Sequence, residues 1–190
     1  MSMFSPTVDH ATQPQAAGIE PEKRRRLDDA LRGLELAESN GSASTRVAAL
    51  IAVAQAYGEL GALSMAEWYL HQALRTAREE GVVRTIVDVL CTLAEMAVAA
   101  AHAAPAADAR ERHTARERAR DRGYEATLLA ARATDRQWEI DVLMRVADIL
   151  DRCGDQDDAV ALHGRALELM TRPFVSGAAA QPHATSNRHA

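Results

Sequence analysis

The chain has 190 residues, 47% apolar and 26% charged, with a formal net charge of −5. That balance fits one soluble domain and argues against a nucleic-acid role, which draws on a basic surface. Aromatics are only 4%, and residues 27–172 hold no sustained polar/apolar alternation and few β-branched runs, which excludes a sheet-based fold.

Residues 1–19 carry Ser, Thr, Pro, Gln and Gly without periodicity and read as a disordered tail; no basic n-region or apolar h-region marks a secretory signal. Seven helices are predicted next. The first runs from about Pro21 to Ser39, with Pro21 in its first turn and Asn40-Gly41 as its stop. The basic run Lys23-Arg24-Arg25-Arg26 at its start has no interleaved aromatic and reads as a solvated stretch. The second spans about Ser44 to Leu60, the third Ser64 to Glu80 and the fourth Val83 to His102. The fifth covers about Ala106 to Thr134, the sixth Arg136 to Arg152 and the seventh Gln156 to Thr171. Ser64 and Asp155 are the expected N-caps. Residues 173–190 resemble the first tail in composition, so the ordered domain is expected over 20–172. The longest apolar run, Met96 to Ala101, is too short to span a bilayer, and the expectation is a cytoplasmic protein without membrane contact.

One spacing recurs. Leu50, Val53, Ala54, Tyr57, Gly61, Ala66, Leu70, Ala73 and Leu74 match Leu143, Val146, Ala147, Leu150, Gly154, Ala159, His163, Ala166 and Leu167 at a constant offset. Leu90, Leu93, Ala94, Ala97 and Ala101 repeat the first half. The first helix aligns with the second half, Gly33, Leu34, Ala37 and Gly41 matching Ala73, Leu74, Ala77 and Gly81. The alanines are small where two helices must approach closely. Gly61 and Gly154 suit a helix C-terminal turn that needs a left-handed residue.

The pattern resembles the tetratricopeptide repeat over roughly residues 41–172. The small positions and the turn glycine fit that family best; Leu50 and Leu143 stand where it has Trp, and Ala54 and Ala147 where it has its first glycine. The resemblance implies an all-α solenoid of antiparallel helix pairs: half a repeat, then three repeats. The middle repeat carries an insertion. With Ala131 as the counterpart of Ala73, the small packing residue falls at Tyr124 and the excess is about eighteen residues, or about five turns at 3.6 residues per turn. The inserted Ala- and Arg-rich stretch would lengthen the fifth helix into an arm, as a binding feature or as a solvated extension held by Glu/Arg pairs.

In such arrays the first helix of each pair lines a concave groove. Carried over, the lining is Ala48, Ile51, Gln55 and Gly58, then Asp88, Cys91, Glu95 and Val98, then Asp141, Met144, Asp148 and Asp151. Five of these twelve are acidic and none is basic, which favours a Lys/Arg-bearing segment. The candidate partner-binding set is Gln55, Glu59, Asp88, Glu95, Asp141, Met144, Asp148 and Asp151. Asp88 and Asp141 also have a purely structural role open to them, in helix N-terminal turns. The family's basic carboxylate clamp is absent.

The seventh helix carries Val160, Leu162, Leu167, Leu169 and Met170, followed by Phe174 and Val175, with no further helix to cover them. Val160, Leu167, Met170 and Phe174 are therefore candidates for self-association as a homodimer, with Phe174 and Val175 folding back as the alternative.

No phosphate loop, dinucleotide fingerprint, H-E-x-x-H or nucleophile elbow occurs. The helical histidines have no i,i+4 His partner and no C-x-x-C companion, so no metal or cofactor is expected. Trp68 and Trp138 read as core or inter-repeat packing. Cys91 and Cys153 read as reduced, buried thiols. The leading expectation is a non-enzymatic interaction scaffold that holds a protein segment. A bacterial secretion chaperone or peptide-responsive regulator is a second, and an accessory subunit or a domain detached from a signalling protein or enzyme a third.

Overall fold

A computed structural model describes residues 21–103 and 108–172; both tails, Phe174 among them, lie outside the described residues. Seven helices account for nearly all of them: α1 (Pro21–Asn40), α2 (Ala43–Glu59), α3 (Leu63–Glu80), α4 (Val83–Ala103), α5 (Ala109–Ala130), α6 (Arg136–Cys153) and α7 (Gln156–Thr171). No strand occurs among the described residues. Each helix packs on the next in sequence, and α4 also touches α2 and α6.

Local chemistry sets the boundaries. Gly61 and Gly154 sit at φ 74° and 89°, as the turn pattern requires, and Gly81 does the same at 69°. Each ends a helix in a left-handed conformation that a side chain with a Cβ adopts only with strain. Ser42 caps α2 by accepting the Thr45 N–H, Asp108 caps α5 at Glu111 and Asp135 caps α6 at Trp138. The expected cap at Ser64 is wrong: α3 begins at Leu63, its flanking residue is Ala62, and no side chain caps it. Asp155 does flank α7, but its carboxylate makes no cap bond and instead accepts from Arg120 at 2.5 and 3.0 Å.

The fifth helix departs most from expectation. It ends at Ala130, because residues 131–134 form a turn, and starts at Ala109. Its buried row is Ala119, Gly123, Ala126, Thr127 and Ala130, while Ala131 is exposed and Tyr124 half-exposed. That row repeats Ala66, Leu70, Ala73, Leu74 and Ala77 of α3 at an offset of 53 residues, against 40 from Leu50 of α2 to Leu90 of α4. The insertion is therefore about thirteen residues, not eighteen. The small residue facing the next helix is Gly123, where a Cβ would lie 2.9 Å from Val146 Cγ1.

One core cluster runs from Leu34 in α1 to Ala159 in α7. A smaller one joins Ile140 and Leu143 of α6 to Ala166 of α7. Ten residues of α4 are buried. By length and composition α4 is apolar enough to cross a bilayer; in the fold that apolar surface packs on α2, α3, α5 and α6. Trp138 packs against the core, whereas Trp68 is 53% exposed, contrary to the packing role expected for it.

Candidate functional site

The proposed groove-lining residues separate into three groups. The first is core: Cys91 and Val98 are 1% and 0% exposed, so they line nothing. Burial pushes the Cys91 thiol up to about 11, and the Cys153 thiol also upward, which leaves neither as a thiolate near neutrality.

The second group is neutralised. Arg145 of α6 reaches across to α4, its Nε donating to Glu95 Oε1 at 2.7 Å and its Nη2 to Glu95 Oε2 at 3.1 Å. The same guanidinium lies 3.4 Å from Thr92 Oγ1 and 3.8 Å from Asp88 Oδ1. Partial burial raises the Asp88 carboxyl above its usual range, against the opposing pull of Arg145 and Arg84. The face therefore does contain a base, which the twelve-position pattern misses. Arg145 sits one residue past Met144, at the edge of the lining row, and its length carries the charge over. Glu59 is likewise engaged, by Arg26 of α1 at 3.2 Å. Gln55 is exposed on α2.

The third group stays available. Asp141, Met144, Asp148 and Asp151 recur at i, i+3, i+7 and i+10, the spacing of one helix face, and all four are exposed. Asp141 accepts from Gln137 Nε2 at 2.9 Å. Asp148, with a side chain 78% exposed, has His163 Nε2 at 4.0 Å from its Oδ1. No arginine or lysine pairs with these three carboxylates in the ion pairs among the described residues.

A cation edge borders this face. Arg84 pairs with Asp135 and lies over the Trp138 ring at 5.2 Å. The Trp138 backbone N–H, and then Arg84, hold the Asp135 carboxyl below its usual range.

Two further concavities were not foreseen. One, of about 860 Å³, lies between the start of α3 and the α4–α5 hairpin, bounded by Met65, Ala100, Ala103, Thr114, Arg110 and Arg118. Its sequence signal is the insertion itself. The other, of about 470 Å³, has Trp68 and Tyr69 on its wall with Arg46 and Glu79. The insertion's remaining arginines are partly structural: Arg120 grips Asp155, which precedes α7, and Arg122 reaches Glu67 at 3.3 Å and the Leu93 carbonyl at 3.4 Å.

Compared with known proteins, the chain matches no family model and no curated protein.

Proposed function

We propose that this chain is a non-enzymatic interaction scaffold, an array of tetratricopeptide-like helix pairs whose α6 face takes a Lys/Arg-bearing segment of a protein partner. The observation that carries the reading is the row Asp141, Met144, Asp148 and Asp151, exposed and in no ion pair with arginine or lysine among the described residues, beside Asp88 and Glu95, which Arg145 already occupies. Three carboxylates along one face with a methionine among them suit a segment that alternates cation and apolar contact. The contacts α2–α4 and α4–α6 accord with an array in which alternate helices share a face.

The test is a pull-down on the full chain with mass spectrometry, followed by titration of the recovered partner. Asp148→Lys with Asp151→Lys should cut affinity at least about tenfold, a loss of about 1.4 kcal/mol, with unchanged helicity. Binding should weaken as salt rises, since exposed charge pairs are screened. An affinity indifferent to both changes places the partner elsewhere.

A further inference from the structure

The rows of α3, α5 and α7 share a register, and the third of them is uncovered. Leu70, Leu74 and Ala77 of α3 are buried, and so are their counterparts Gly123, Thr127 and Ala130 of α5. In both cases another helix follows. The same positions in α7 are His163, Leu167 and Met170, with Leu167 60% and Met170 52% exposed. Val160, one turn before His163, is 69% exposed and extends the stripe. Gly164 lies along its margin with nothing within 4 Å of a Cβ built on it. Glycine inside a helix is less stable than alanine by roughly 0.5–1 kcal/mol, a cost that close approach of another backbone would explain.

We propose that a second copy of this chain covers that face, α7 packing antiparallel on α7 of the other copy about a twofold axis near Gly164. The ends of the stripe are self-complementary. Asp157 stands one turn from Val160, whereas Arg136 lies beside Met170 and Arg172 closes the helix. Antiparallel pairing sets the acidic end of one copy against the basic end of the other, and a twofold contact closes without leaving a free edge. Phe174 lies two residues past Arg172, about 7 Å of extended chain, a length that includes Met170 but not Val160, about 18 Å back along the helix, so Phe174 alone does not span the stripe. Beyond Val175, residues 176–190 contain no large apolar side chain. A single helix pair is a small interface, so the dimer is weak and concentration-dependent. The inference is independent of the acidic face of α6.

Sedimentation velocity on the full chain from about 1 to 500 μM tests it. The mass should rise from 20.6 kDa toward twice that value. A Leu167→Lys, Met170→Lys variant should stay at 20.6 kDa with wild-type circular dichroism. Orientation is read by cysteine cross-linking: Gly164→Cys should oxidise to a linked dimer about tenfold faster than Glu168→Cys, because only near the axis do equivalent residues come within disulfide reach. A wild type monomeric throughout, or a rise in mass that the lysine variant shares, overturns the dimer. Equal cross-linking rates overturn the antiparallel arrangement.

Discussion

Helices α3 and α7 present the same pattern with opposite outcomes. Leu74 and Leu167 are the same residue at the same position of the repeat, yet one is 7% exposed and the other 60%. Ala66 and Ala159, on the side facing the preceding helix, are buried in both. What differs is outside the helix: α4 follows α3, and no described helix follows α7. Burial is thus a property of position in the array, and an identical side chain is core in one place and surface in another.

The largest test of that comparison is Leu74→Ala against Leu167→Ala. The first leaves a cavity in a packed core and should cost about 2–5 kcal/mol. The second should stay within about 0.5 kcal/mol when measured at low micromolar concentration. Denaturant unfolding reads both, and equal costs would break the comparison. A second pair sharpens it on glycines. Gly154→Val places a β-branched residue at φ 89° and should destabilise by about 1–3 kcal/mol. Gly164→Ala, in a helix with open space around it, should stabilise the monomer by about 0.5–1 kcal/mol. Arg145→Met should cost only about 0–1 kcal/mol, because both partners are more than a third exposed. The same change frees Glu95 and Asp88, so affinity for a basic segment should increase; unchanged affinity would confine recognition to α6.

Much of the architecture was legible because it rests on local rules. Glycines at 61 and 154 and spaced alanines marked where helices stop and meet, and six of the seven helices fall within a residue or so of their expected ends. The caps were harder. Ser42, Asp108 and Asp135 act while Ser64 does not, since capping depends on where the first turn begins. The fifth helix misled because an insertion breaks the offset, and its row admits glycine and threonine at positions filled by leucine in α3. The site was half legible. The acidic row of α6 follows from helical spacing, but which acids remain unpaired depends on Arg145 meeting Glu95 fifty residues away. No pattern within one helix carries that information, nor does it show that Trp68 faces solvent.

The apolar character of α4 has a consequence for how the protein is made. Val83–Ala103 leaves the ribosome before the helices that cover it on one side. α6 ends fifty residues after α4, which at about 5–20 residues per second means about 3–10 s with an uncovered face. During that interval the nascent segment exposes a helix long and apolar enough, by length and composition, to cross a bilayer. The arginine-rich start of α5 emerges five residues behind it, so charge arrives close to the most apolar helix before its packing partners are complete.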